Sequence, residues 1–155
     1  MKRYIKPISV FFLILFLWLL SGFLFKYNDS FYELLKKPSF VLNKNLIGVF
    51  WFIIYILNSI SITIIIFKRN IFKELDYLYI LLTNYLSNQL FLYFFFYLMS
   101  PFLAFIVTTI TFISSIFLYI ETNKISKKSS YLLIPYIIYS AYAELQILFI
   151  YFMNF

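Results

Sequence analysis

The chain contains no cysteine and no histidine among its 155 residues, and its only glycines are Gly22 and Gly48. Without cysteine and histidine it has no disulfide bond, no thiol nucleophile, no Cys/His zinc site and no haem ligation by either residue. Two isolated glycines also exclude a Gly-rich loop of the kind that binds phosphate. We therefore predict no metal site, no catalytic residue and no tightly bound cofactor.

Charge is equally scarce. Charged residues make up 12% of the chain, whereas soluble domains carry about 25%. Apolar residues make up 64%, and the mean hydropathy is +0.91. So few charges cannot cover a surface that faces water, and the composition predicts an integral membrane protein whose partner is the lipid bilayer. The net charge of +7 then indicates topology and contact with anionic headgroups, rather than nucleic-acid binding.

Long charge-free intervals predict the number of helices. A helix needs about 20 apolar residues to cross a bilayer, and the intervals are 7–25, 45–67, 77–120 and 129–155, the last interrupted only by Glu144. As one helix, the interval 77–120 would be about 66 Å long, twice the thickness of the hydrocarbon core. It must therefore fold back near its single proline, Pro101. We predict an all-α integral membrane bundle of five transmembrane helices in one domain, residues 1–155, with helices at about 6–26, 45–67, 77–98, 102–120 and 131–153.

Basic residues are distributed unevenly between the two ends of these predicted helices. Nine fall in the N-terminal segment, the second loop and the fourth loop, and four fall in the first loop. Because basic residues accumulate on the cytoplasmic side, we expect a multi-pass protein of the cell membrane with a cytoplasmic N-terminus. We also expect the first helix to be retained, since its apolar run is longer than that of a signal peptide.

Polar side chains recur within the predicted spans in helical register. Trp51, Tyr55 and Asn58 are spaced i, i+4 and i+7, which places them on one face of a helix. Two interpretations remain open: hydrogen bonds that hold the helices together, or the polar groups of a mostly apolar ligand cavity. The same alternatives apply to Asn84 and Asn88 in the third helix and to Tyr136, Ser140 and Glu144 in the fifth.

Glu144 is the only acid or base inside a predicted span. A charged acid at the centre of a bilayer costs about 2.5–3.5 kcal/mol, and no lysine or arginine lies within a span to pair with it. Glu144 is therefore interpreted either as a site for a proton or a cation, or as a neutral carboxyl group. In the second case it would be hydrogen-bonded to an asparagine or tyrosine of a neighbouring helix.

Four stretches of the sequence follow one another in the order of a known family: FYELLKKPSF at 31–40, WFIIY at 51–55, NQLFLYFFF at 88–96 and LLIPYIIYSAYAE at 132–144. Together they resemble the TspO/MBR family, the tryptophan-rich sensory proteins that are also called translocator proteins or peripheral benzodiazepine receptors. The first stretch is similar to the family's Lys-Pro-Ser-aromatic loop, and the second to its Trp-x-x-x-Tyr helix start. The chain departs from the family by having Leu42-Asn43 in place of Pro-Pro and Tyr139 in place of a tryptophan.

The resemblance implies a cavity in the bundle, capped by the first loop, that binds tetrapyrroles such as porphyrin or haem, or similar hydrophobic ligands, in their transport or regulation. A carboxylate of such a ligand would meet Lys36 or Lys37, whose alternative role is to reach the lipid interface. The resemblance also leaves a homodimer open. The implied ligand-binding residues are Trp51, Tyr55, Tyr93, Phe96, Tyr139 and Ala143, with Pro38 and Phe40 in the lid, and the candidate polar or proton sites are Glu144, Asn58 and Asn88.

Two functions of other classes remain open on the sequence alone. The first is a small proton-linked membrane transporter that uses Glu144. The second is a structural membrane subunit that binds no ligand, whose polar residues only pack its helices together.

Overall fold

The computed structural model describes residues 2–155, with side chains from Lys6 onward, and in this range the chain is all-helical without strands. Five long helices are joined by short helices and turns. The long ones are α1 (Lys2–Leu24), α3 (Lys44–Lys68), α4 (Leu75–Leu92), α5 (Pro101–Ile125) and α7 (Ile134–Asn154). The short ones are α2 (Asp29–Leu34) and α6 (Lys127–Tyr131), with a 3₁₀ turn at Ile71–Lys73 and a π-helical turn at Tyr93–Tyr97.

Four segments of the described chain are long and apolar enough to cross a membrane: Lys6–Leu24, Lys44–Lys68, Pro101–Ile125 and Lys127–Asn154. The protein is therefore an all-α integral membrane protein. Helix α4 is not among these segments, because polar residues such as Asn84, Ser87 and Asn88 lower its hydropathy. The fifth transmembrane helix predicted from the sequence is thus not confirmed by length and composition.

Turn-forming side chains fix where the helices begin. Asn28 caps α2 by accepting from the backbone N–H of Phe31, and Asn43 caps α3 by accepting from that of Asn45. Ser100 caps α5, whose first residue, Pro101, has no N–H to satisfy. These caps define the ends of the loops that surround the site described below.

Small hydroxyl residues allow the helices to approach closely. Ser115 Oγ on α5 lies 3.2 Å from Ser140 Oγ on α7, and Ser61 Oγ on α3 lies 2.9 Å from Ser129 Oγ on α6. The chain has only three alanines, so serine and threonine occupy contact positions that small residues usually fill in membrane helices.

Asn84 joins three helices from the centre of the bundle. Its Nδ2 donates to the Thr111 carbonyl at 3.1 Å and to Ser114 Oγ at 2.9 Å, both on α5. Its Oδ1 accepts from the Tyr136 hydroxyl of α7 at 2.8 Å. The side chain is fully buried, and the interpretation of Asn84 as an interhelical hydrogen-bonding residue is confirmed.

The end of α4 widens into the π-helical turn. The Leu98 N–H donates to the Tyr93 carbonyl at 2.9 Å, five residues back rather than four. Two consecutive side chains of this turn, Phe95 and Phe96, are buried. They pack against Tyr32 of α2 at ring-centroid distances of 6.4 and 6.3 Å, so the turn brings two aromatic rings to the end of the bundle where the first loop lies.

Candidate functional site: an aromatic cavity in the bundle

A cavity of about 290 Å³ lies in the bundle where α1 ends and α3 begins. Side chains of α1, α3, α4, α5 and α7, of α2 and of the π-helical turn line it, and most of them are apolar or aromatic. Its volume is at the lower end of the range of about 300–1,000 Å³ that is typical of small-molecule pockets.

Two tryptophans and a tyrosine form one wall of the cavity. The Trp18 ring stacks on the Tyr55 ring at a centroid distance of 5.4 Å and an interplanar angle of 20°. The Trp51 ring lies 5.6 Å from the Tyr55 ring, tilted by 33°. Tyr139 meets Trp51 edge-on at 5.2 Å. These offset and edge-to-face arrangements are those that aromatic rings favour, so the wall is a packed set of rings.

Two of the polar groups beside these rings have partners, whereas the hydroxyls of Tyr139 and Tyr32 are buried without one among the described residues. The Tyr55 hydroxyl donates to Asn88 Oδ1 at 2.8 Å, which links α3 to α4. Ser140, which also lines the cavity, hydrogen-bonds to Ser115. An apolar ligand could therefore fill the cavity without unpairing Tyr55 or Ser140.

The loop of residues 35–43 is tied to α7 by its backbone and contributes no residue to the lining of the cavity. We call it the lid loop after the role that the resemblance implies. Asn154 accepts from the Lys36 N–H and donates to the Lys36 carbonyl, both at 2.9 Å. The Tyr142 hydroxyl accepts from the Leu42 N–H at 2.9 Å. Lys37 Nζ donates to the carbonyls of Tyr32 and Leu35, so it helps to fold the loop rather than reach into the cavity.

The mouth of the cavity lies between the end of α1 and the start of α3. Lys44 lines it, and its Nζ lies 2.6 Å from Asp29 Oδ1. Gly22 and Gly48 also line it, and a Cβ atom added to either would meet nothing within 4 Å. The mouth is therefore open beside the two glycines.

The phenol of Tyr27 adjoins this mouth. Burial raises the pKa of Tyr27, and the neighbouring Tyr32, Asp29 and Glu33 add to the effect. Burial likewise raises the pKa of Tyr32. Both phenols consequently stay neutral in the physiological range and contribute hydroxyl groups, not charge.

Of the eleven residues expected to bind the ligand or to form a polar or proton site, the structure brings six together at the cavity and places five elsewhere. Those that line the cavity are Trp51, Tyr55, Asn88, Phe96, Tyr139 and Ala143; those that do not are Pro38, Phe40, Tyr93, Asn58 and Glu144.

Residues of the second group have other neighbours. Phe40 packs edge-on against Phe149 of α7 at 5.4 Å, on the outside of the bundle. Tyr93 lies 5.3 Å from Phe25 and stacks on Tyr97. Asn58 is fully buried, and neither of its amide atoms has a hydrogen-bond partner within the described part of the chain.

Glu144 lies between α7 and α5. Its Oε1 accepts from Thr109 Oγ1 at 2.6 Å, and its Oε2 is buried without a partner among the described residues. The sequence-based expectation of an asparagine or tyrosine partner was therefore wrong, because threonine is the polar side chain that α5 presents at this level.

Sequence reasoning missed Trp18, Phe95 and Lys44. Trp18 is 1% exposed. It is one of only two tryptophans in the chain, and this scarcity was the sequence feature that could have indicated that α1 contributes to the site. Lys44 was passed over in favour of Lys36 and Lys37, which do not line the cavity. Nothing in the sequence shows the path of the lid loop that separates these lysines.

The fold and the cavity define a helical membrane protein with an aromatic, mostly apolar pocket. The profile of the TspO/MBR family matches residues 9–152. The chain is 35% identical to the tryptophan-rich protein TspO of Bacillus cereus over 138 residues. These residues make up 89% of this chain and 90% of that protein. It is 33% identical over 143 residues, 92% of each chain, to the uncharacterized membrane protein YtaB of Bacillus subtilis. The chain belongs to the TspO/MBR family, and the resemblance seen in the sequence is confirmed.

Proposed function

We propose that the chain binds a flat hydrophobic ligand of the tetrapyrrole class in this cavity, as a step in the ligand's transport or regulation. The observation that carries the proposal is the wall of packed aromatic rings formed by Trp18, Tyr55 and Trp51. Aromatic side chains each contribute about 150–250 Å² of surface to such contacts. Membership of the TspO/MBR family supports the same function.

The size of the cavity bears on how such a ligand would sit. A porphyrin macrocycle does not fit entirely within about 290 Å³. The open mouth beside Gly22 and Gly48 would leave part of the ring system between α1 and α3. Alternatively, the side chains of the mouth would move apart when the ligand enters.

Protoporphyrin should quench the intrinsic tryptophan fluorescence of the purified protein in detergent. Both tryptophans of the chain line the cavity, so a ligand held there lies within contact distance of both fluorophores. The measurement is a fluorescence titration, with the free tryptophan analogue N-acetyltryptophanamide at equal absorbance as the control for inner-filter effects. A saturable decrease supports binding, and a decrease no greater than that of the control contradicts it.

We further propose that α4 crosses the membrane as a fifth span. Together with the π-helical turn it extends from Leu75 to Tyr97. It starts close to the C-terminal end of α3 and ends where Phe95 and Phe96 contact α2, which precedes the N-terminal end of α3. It therefore runs from one end of α3 to the other. The polar residues in its second half face inward, since Asn84, Ser87 and Asn88 are buried, while Leu82, Leu86 and Leu90 are exposed.

Single cysteines should report this topology, because the natural chain has none. With the N-terminus in the cytoplasm and five spans, Lys36→Cys and Leu98→Cys should react with a membrane-impermeant maleimide in intact cells. Arg69→Cys should react only after lysis. If Leu98→Cys behaves like Arg69→Cys, α4 does not cross; if Lys36→Cys is protected in intact cells, the orientation is reversed.

Glu144 favours a second candidate function, proton-linked transport. A buried carboxylate oxygen that has no partner among the described residues, on a helix long and apolar enough to span a membrane, is the kind of group that proton relays use. Glu144 does not line the cavity, so the two functions depend on different residues. Uptake that depends on pH and is lost in Glu144→Gln would support transport, whereas ligand binding that is unchanged in this variant supports the cavity alone.

A further inference from the structure

Lys44 stands at the mouth of the cavity, and its partner Asp29 does not line the cavity. Of the described residues that line the cavity, Lys44 alone is charged. Its Nζ lies 2.6 Å from Asp29 Oδ1, and the two side chains are 46% and 63% exposed. Exposed ion pairs of this kind contribute little stability. The lysine can therefore exchange Asp29 for an anion that arrives from the cavity side.

One face of α3 runs from Lys44 to the aromatic wall of the cavity, and we call this face the lane. Lys44, Gly48, Trp51 and Tyr55 follow one another at i, i+4, i+7 and i+11, so they share one face of α3, and all four line the cavity. Gly48 has open space where a side chain would lie, so nothing from α3 blocks the lane. At 1.5 Å per residue the lane is about 16 Å long.

We propose that the cavity selects amphiphiles with an anionic group, such as a carboxylate, at one end and a flat apolar body at the other. The anionic group replaces Asp29 as the partner of Lys44, and the apolar body lies along the lane against Trp51 and Tyr55. The assignment rests on the proposed binding function and names the chemical class that the site prefers.

The three other lysines of the first loop, Lys26, Lys36 and Lys37, do not line the cavity. Lys37 Nζ is held by the carbonyls of Tyr32 and Leu35, and the side chains of Lys26 and Lys36 are exposed. Lys44 is thus the cation that an anionic ligand meets in this structure.

Opposite substitutions of the ion pair test the proposal with two probes, protoporphyrin and its uncharged dimethyl ester. Lys44→Gln should weaken the binding of protoporphyrin about tenfold, because a charge-assisted contact is lost. Asp29→Asn should strengthen it about threefold, because the competing carboxylate is removed. Both variants should bind the ester within about twofold of the wild-type affinity.

The signs of these effects distinguish recognition from structure. Both substitutions break the same ion pair, so a purely structural role predicts equal effects on both probes and the same sign in both variants. That result would overturn the assignment while leaving the binding function intact. Lys36→Gln is the matched control and should leave both affinities unchanged. If the wild-type protein binds neither probe, the binding function itself is wrong, and the assignment fails with it.

Discussion

Replacing Trp51 with alanine should weaken the binding of protoporphyrin about 10- to 100-fold, a loss of about 1.4–2.8 kcal/mol. The Trp51 ring lies between Tyr55 and Tyr139 on the cavity wall. Its removal takes away one face of the site and also the edge-on support of Tyr139. Trp18 remains as the fluorophore, so the same quenching titration measures the affinity of the variant.

Phe52→Ala is the matched control for this substitution. Phe52 is the next residue of α3, is 47% exposed and does not line the cavity. The Phe52→Ala variant should bind protoporphyrin like the wild type, although it too loses a large aromatic ring. If Trp51→Ala and Phe52→Ala have equal affinities, the ligand does not lie against this wall, and the proposed site is wrong.

Asn84→Ala should destabilise the fold by about 2 kcal/mol, which is a roughly 30-fold change in the equilibrium between folded and unfolded protein. The substitution removes contacts to Thr111, Ser114 and Tyr136. Hydrogen bonds between membrane helices contribute about 0.6 kcal/mol each on average, and an unpaired buried hydroxyl adds to the cost. The measurement is unfolding in mixed detergent micelles with increasing sodium dodecyl sulfate, followed by circular dichroism.

Thr83→Ala provides the comparison on the same helix. Thr83 is exposed and precedes Asn84, and its substitution should change stability by less than about 0.5 kcal/mol. Equal midpoints for Asn84→Ala and the wild type would show that the three contacts contribute nothing net. In that case the polar groups form hydrogen bonds of equal strength in the unfolded state.

The sequence predicts most of the helical segments because charge and hydropathy act locally. Lipid excludes charges, so the charge-free intervals mark where helices lie in it. Periodicity likewise places Trp51 and Tyr55 on one face of α3, and both line the cavity. These inferences need only the residues of a single helix.

Features that depend on two helices at once escape such reasoning. Trp18 joins the site because α1 packs against α3, and no pattern within α1 reveals its neighbour. Lys44 rather than Lys36 reaches the cavity because of the path of the lid loop, which hydrogen bonds to Tyr142 and Asn154 determine. Hydropathy also gives α4 too low a score as a membrane span, because the scale assigns the same value to an asparagine that contacts another helix and to one that faces lipid.

The hydroxyl contacts between helices also set how this chain can tolerate substitution. Ser115 and Ser129 are completely buried, and interiors as dense as those of proteins do not admit larger side chains without moving the backbone. At such positions the volume of the side chain limits which substitutions are tolerated. Alanine fits there, whereas isoleucine would push the two helices apart. Lipid-facing positions such as Phe52 and Leu86 are limited only by hydrophobicity, so phenylalanine, isoleucine and leucine are interchangeable there. The two kinds of tolerance alternate around each helix, and this alternation allows a chain so rich in bulky residues to keep its helices together.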